Sequence, residues 1–250
     1  MTVHLLDYRS GPVRIVDVHR SEASTLTMEA VSKRFARGVG AVEVSLDLDA
    51  GEIVGVWGRR HSGRSTLLRL AAGIERPDAG VVRFEGVDLS GRDARRDRIA
   101  VWHTAFPPDH GRSVERQVAV AARRGRRPAR QVRAEALDAL ARVGLADLAD
   151  RAPQELDHAE VACAALARAL VMRPRLLVLD EPASGLGALE AERLLELIAA
   201  IARADRVAVL LSATEIGQLG GVDRCLSISR GVVRGTTTPA EAGVRRIHSA

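Results

Sequence analysis

Residues 52–73, EIVGVWGRRHSGRSTLLRLAAG, decide the fold of this 250-residue chain. The short apolar run at 53–57 predicts a buried strand, and the residues after Ser65 predict a helix that stops at Gly73. A glycine-containing loop joins the two elements. A strand, a glycine loop and a helix in this order are the setting of a phosphate-binding loop.

The loop itself follows the spacing G-x-x-x-x-G-K-[ST], with Arg64 where the pattern has lysine. Glycines permit a tight turn whose backbone N–H groups converge on phosphate oxygens, and the helix N-terminus adds a favourable dipole. Arg64 keeps the positive charge, but its guanidinium is longer and planar, so the two residues are not equivalent. Ser65 would offer its hydroxyl to Mg²⁺. The predicted nucleotide-binding residues of this loop are Gly58, Arg59, Arg60, His61, Ser62, Gly63, Arg64, Ser65 and Thr66.

A second segment, LLVLDEP at 176–182, is an apolar strand that ends in two acids. Asp180 is predicted to hold the Mg²⁺ shell and Glu181 to polarise an attacking water as the catalytic residue. A solvated acidic turn is the alternative interpretation. Such turns are common, but one at this distance behind a phosphate-binding loop is not, so the pair supports nucleotide chemistry.

The remaining pattern alternates strands and helices, which predicts an α/β fold with a parallel sheet. Strands are expected at 13–18, 25–31, 41–48 and 206–213, and hairpins at Glu85-Gly86 and Arg230-Gly231. The 41–48 strand is expected to bury Val42, Val44, Leu46 and Leu48 on one face. Residues from about 105 to 170 are rich in alanine and arginine and have a helical period, so they predict a helical insert.

Composition narrows the class of protein further. The chain is 46% hydrophobic and 28% charged, which is typical of a folded core rather than a disordered segment, and its net charge is +5. No apolar run reaches the roughly 18 residues of a membrane span, and Asp7 and Arg9 interrupt any signal-type stretch. Cys163 and Cys225 are expected to be reduced, buried thiols. A cytosolic protein is therefore expected.

The two motifs and their spacing resemble those of the ATP-binding-cassette (ABC) transporter ATPases, over roughly residues 25–240. The resemblance implies a P-loop-type parallel sheet with an antiparallel β-subdomain and an inserted helical subdomain. It also implies ATP and Mg²⁺ as ligands, a second ABC ATPase subunit packed head to tail, and membrane permease subunits as partners. The protein would then lie at the inner face of the cell membrane. An upstream aromatic residue stacks on adenine in this family, and Phe35 stands at that place.

Several family positions are replaced in this chain. The signature LSGGQ reads Leu156-Asp157-His158-Ala159-Glu160, with a carboxylate for the serine and side chains in place of two glycines. Like charges disfavour Asp157 beside phosphate oxygens, and side chains obstruct close backbone approach. At three other positions this chain lacks the family's side chain that would reach the nucleotide site. Thr104 stands in place of the glutamine, Gly187 in place of the D-loop aspartate and Thr214 in place of the switch histidine.

Three hypotheses follow from this combination. The chain is a slow but active ATPase that drives a transporter, or it is a degenerate cassette that binds ATP, or nothing, and pairs with a complete cassette. The third, a cassette protein acting on DNA or RNA, is disfavoured because there is no second cassette. Arginines at 112–133 suggest a basic patch, but no aromatics are interleaved to stack on bases, so nucleic acid is an unlikely partner. Residues 1–24 and 241–250 are predicted to be an extension and a tail.

Overall fold

The computed structural model describes residues 24–35, 38–90, 98–102, 112–122 and 127–237. They form a mixed α/β fold with one mainly parallel and one antiparallel sheet, which confirms the predicted class. The strands are β1 Leu26–Phe35, β2 Gly38–Leu48, β3 Ile53–Trp57, β4 Ala79–Phe84, β5 Val87–Asp88, β6 Ile99–Trp102, β7 Leu176–Leu179, β8 Ala208–Ala213, β9 Arg224–Ser229 and β10 Val232–Thr237. The α-helices are α1 Arg64–Ala71, α2 Val114–Ala122, α3 Ala129–Arg142, α4 His158–Leu170 and α5 Ala188–Asp205.

The larger sheet has the order β10-β9-β3-β8-β7-β6, and every neighbouring pair except β10 and β9 is parallel. Side chains of one strand alternate between its two faces: Leu176 and Val178 pack toward α1, whereas Leu177 and Leu179 pack toward α2–α5. Burial on both faces explains the continuous apolar runs of the central strands. The carboxyl ends of β3, β7 and β8 lie at one edge, where ligands of open α/β sheets bind.

The antiparallel sheet, β2-β1-β4-β5, covers α1 and one face of the parallel sheet. In β2 the expected alternation is wrong at one residue, because Ala41 is fully buried whereas Val42 is only partly so. Glu43 has a positive φ of 46°, and the pairing of β1 with β2 shifts register around it. Such a bulge moves the preceding side chains to the other face.

The predicted helical insert corresponds to α2, α3 and α4, and Gly144, with φ 78°, follows the end of α3 as expected. Its boundaries as a subdomain stay a prediction. The hairpins at 85–86 and 230–231 are also present. The strand expected at 13–18 lies outside the described residues.

The two cysteines differ from each other. Cys225 is buried, and burial raises the pKa of its thiol to about 11. Cys163 is only partly buried, which corrects the expectation for that residue. Burial raises the pKa of the Cys163 thiol as well, helped by the charges of Asp157 and Glu160. Both thiols are free and neutral at pH 7.

Among the helices of the described residues, none is both long and apolar enough to span a bilayer.

Candidate functional site

The loop between β3 and α1 is held between β2 and the β9–β10 hairpin, and two of its glycines have no room for a side chain. A Cβ on Gly58 would lie 2.3 Å from the carbonyl oxygen of Ile228. A Cβ on Gly63 would lie 2.2 Å from the carbonyl oxygen of Gly40, and Gly63 also has a φ of 110°. The Gly231 N–H donates to the Ser62 carbonyl at 2.7 Å. The loop conformation therefore requires glycine at both framing positions.

Two buried polar side chains in this loop each have one atom without a hydrogen-bond partner in the part of the chain that the structure describes. They are Ser62 and Arg64, each 6% exposed, and the unpaired atoms are Ser62 Oγ and Arg64 Nη1. Unsatisfied buried donors are costly in folded proteins, and a bound ligand or ion is one way in which such a donor is satisfied. A hydroxyl and a guanidinium beside the N-terminus of α1 suit an anion such as a phosphate.

Arg64 makes one strong contact with the acidic motif. Its Nη2 donates to Glu181 Oε1 at 2.5 Å, although 117 residues separate the two in sequence. The Glu181 side chain is 31% exposed and its backbone has a φ of 51°, an uncommon conformation for a residue other than glycine. Strain of this kind clusters at functional sites. The pair joins the predicted phosphate-binding cation directly to the predicted catalytic carboxylate.

Ser212, which the sequence reasoning did not select, orients both acids. It is 1% exposed on β8; its hydroxyl donates to Asp180 Oδ1 at 2.7 Å and accepts from the Glu181 N–H at 3.0 Å. A single hydroxyl thus fixes the carboxylate of one acid and the backbone of the other. The one available signal was a polar residue inside the apolar run AVLLSA at 208–213.

The residues predicted to hold Mg²⁺ are Ser65 and Asp180. Ser65 lies in the first turn of α1, and Asp180 directly follows β7. In the described ranges no three His, Cys, Asp or Glu side chains come together as a protein-only metal site. One carboxylate and one hydroxyl fit Mg²⁺, because this ion is usually bound through one or two carboxylates together with phosphate and water oxygens.

Phe35, the predicted adenine platform, ends β1 and is 43% exposed. It lies near the loop, since a Cβ built on Gly40 would come within 2.7 Å of both the Phe35 ring and the Thr66 methyl group. Lys33 Nζ lies 5.8 Å from the centre of the ring. The ring is therefore available at the rim of the nucleotide-type loop.

The signature segment begins helix α4. Asp157 is its N-cap: Oδ1 accepts from the Glu160 N–H at 2.8 Å, and Glu160 Oε2 accepts from the Asp157 N–H at 2.8 Å. This reciprocal arrangement is a capping box, and its D-x-x-E spacing was a signal that the sequence reasoning did not use. Asp157 and His158 are exposed, and Ala159 partly so. Two carboxylates thus occupy a helix N-terminus that would otherwise favour an anion.

Replacing Asp157 separates its capping role from its charge. We expect Asp157→Ala to lower the free energy of unfolding by about 1 kcal/mol, because the Glu160 N–H loses its acceptor. Asp157→Ser should change it by close to zero, since a serine hydroxyl caps equally well. Urea unfolding followed by circular dichroism measures both. Equal destabilisation by the two variants would show that the charge, not the cap, stabilises α4.

The other positions predicted to be replaced have different local roles. Gly187 is the N-cap of α5, and its N–H donates to Glu190 Oε2 at 2.9 Å. The Thr214 hydroxyl donates to Gln218 Oε1 at 3.1 Å. Thr104 lies outside the described residues.

Comparison with known proteins identifies the family of this chain. The sequence profile of ABC transporters matches residues 42–184. The chain belongs to the ABC transporter family. The match includes the phosphate-binding loop, the signature segment and the Asp180-Glu181 pair.

Curated relatives support this assignment. The chain is 35% identical over 232 residues to "Energy-coupling factor transporter ATP-binding protein EcfA2" of Symbiobacterium thermophilum, a match over 88% of this chain and 81% of that protein. It is 35% identical over 198 residues to "Methionine import ATP-binding protein MetN" of Caulobacter vibrioides, over 76% of this chain but 60% of that protein. The second relative is therefore matched over less than two thirds of its length.

Solved structures have the same fold. The structure of cbiO1 from Clostridium perfringens, described as part of the ABC transporter complex cbiONQ, superposes with a TM-score of 0.80 at 23% identity. The match covers 88% of this chain and 91% of that chain. This chain thus has the fold of an ABC cassette.

Proposed function

We propose that this chain is the ATP-binding subunit of an ABC transporter and works as a degenerate cassette, paired with a complete cassette on a membrane permease. The ion pair between Arg64 and Glu181 is the observation that carries the proposal. It joins the cation that would bind phosphate to the carboxylate that would activate water. Bound Mg²⁺, on Ser65 and Asp180, would neutralise phosphate charge.

Slow hydrolysis follows from this ion pair. The Arg64 guanidinium lies 2.5 Å from the Glu181 carboxylate. For ATP turnover this contact must break, and Glu181 must then accept a hydrogen bond from water instead. Breaking a mostly buried pair is costly, because each charge loses its compensation. Phosphoryl transfer depends on positioning and electrostatics, so an occupied carboxylate slows it.

The N-terminus of α4 argues for a heteromer. In a head-to-tail pair of identical chains, Asp157 and Glu160 would face the terminal phosphate at every site, and like charges repel. A complete partner cassette would supply one signature without these carboxylates.

The relatives with curated names are import and energy-coupling ATP-binding proteins, which supports a transport role at the inner face of the cell membrane. A second candidate, a regulatory module that binds ATP without hydrolysing it, is favoured by the same ion pair. The two candidates differ in turnover and not in binding.

Titrating the purified chain with Mg-ATP and Mg-ADP tests the proposal, because Trp57 adjoins Gly58 and its emission reports on the loop. We expect saturable binding in the micromolar range and turnover far below the 1–100 s⁻¹ (roughly) of ordinary phosphoryl-transfer enzymes. No binding up to several millimolar, with a thermal-shift control, would contradict nucleotide binding. Turnover within that range by the chain alone would contradict the degenerate cassette. Detectable slow turnover that Glu181→Gln abolishes would exclude the regulatory module.

A further inference from the structure

We propose that Gln218 senses the terminal phosphate of ATP and takes the place of the missing switch histidine, with Thr214 as its anchor. This inference rests on the proposed nucleotide binding. Gln218 ends a short 3₁₀ helix, Ile216–Gln218, that follows β8. The sequence pattern gave no reason to select it.

The orientation of the Gln218 side chain is defined by two hydrogen bonds. Its Oε1 accepts from the Thr214 hydroxyl at 3.1 Å and from the Glu215 N–H at 3.3 Å. Both bonds use the amide oxygen, so the amide nitrogen keeps its two donors for another acceptor. Threonine is too short to contact a phosphate itself, but its hydroxyl directs a longer side chain.

The backbone under Gln218 is also fixed. The next residue, Leu219, is fully buried, and its side chain lies against the centre of β3. A Cβ on Gly55 would come 2.9 Å from two methyl carbons of Leu219, so only glycine leaves room for this contact. Ordinary packing therefore holds the 3₁₀ helix at the edge of the sheet where β3 and β8 end.

Gln218 and Glu181 share a pocket. A volume of about 70 Å³ lies between the acidic motif and the end of β8, lined by Glu181, Gly185, Ser212, Thr214 and Gln218 among others. This volume accommodates a few waters or a phosphate oxygen cluster. Gln218 lines this pocket together with Glu181, and its free amide donors would serve a phosphate oxygen there.

The experiment compares the affinities for ATP and ADP in matched variants. Gln218→Glu keeps an acceptor for Thr214 and Glu215 but removes both amide donors and adds a charge. We expect its Kd for Mg-ATP to rise about tenfold while its Kd for Mg-ADP stays within about twofold of the wild type. Gln131→Glu, the same change at an exposed position on α3, should leave both constants unaltered.

Thr214 provides the second arm of the test. Thr214→Val should also weaken ATP binding, because the hydroxyl that donates to Gln218 is lost. Thr214→Ser keeps a hydroxyl and should bind ATP as tightly as the wild type. An unchanged ratio of ATP to ADP affinity in Gln218→Glu would overturn the sensor and show a capping role alone. A wild-type chain that binds neither nucleotide would instead overturn the proposed function and this inference with it.

Discussion

An Arg64→Ala chain is expected to bind Mg-ATP on the order of a hundredfold more weakly than the wild type, whereas Glu181→Gln binds about tenfold more tightly. The guanidinium is 6% exposed and pairs with Glu181. Truncating it removes the buried cation and leaves a carboxylate without its partner where phosphate must bind. Neutralising Glu181 has the opposite effect, because it releases the same cation for phosphate.

The opposite signs distinguish this ion pair from an ordinary structural one. Tryptophan fluorescence titration of each variant gives the constants, and Arg130→Ala at an exposed position on α3 is the matched control. Its affinity should stay within about threefold of the wild type, because an exposed arginine contributes little. Weaker binding in Glu181→Gln would contradict competition between the carboxylate and the nucleotide.

Gly63→Ala is expected to lower the free energy of unfolding by about 3 kcal/mol or more and to abolish nucleotide binding. The new Cβ would lie 2.2 Å from the Gly40 carbonyl oxygen, and the φ of 110° is strained for alanine. To relieve this clash, either the loop backbone or the backbone of β2 must move. The contact between the loop and β2 is then lost.

Gly144→Ala is the control for this change, since Gly144 also has a positive φ, 78°, but a Cβ there meets nothing within 4 Å. It should lower the free energy of unfolding by about 1 kcal/mol, because alanine is strained in the left-handed conformation even where its Cβ has room. Urea unfolding gives both values if the slope with denaturant is unchanged. Equal losses in the two variants would refute the steric explanation.

Local patterns predicted most of the fold correctly. The apolar runs at 176–179 and 208–213 are strands, and the turn residues at 85–86 and 230–231 are hairpins, because neighbouring residues alone define such elements. The alternation in β2 was predicted incorrectly at Val42. A bulge at Glu43 depends on pairing with β1, and no period within one strand reports it.

For the site, the spacing of the motifs is enough to predict the family, the glycine loop and the two acids, because phosphate binding depends on that spacing. It also predicts which family positions are replaced. How the remaining groups interact depends on the three-dimensional fold. Arg64 pairs with Glu181 across 117 residues, Ser212 orients both acids, and Gln218 lines the same pocket as Glu181. These contacts arise because parallel strands that are distant in sequence end at one edge of a sheet.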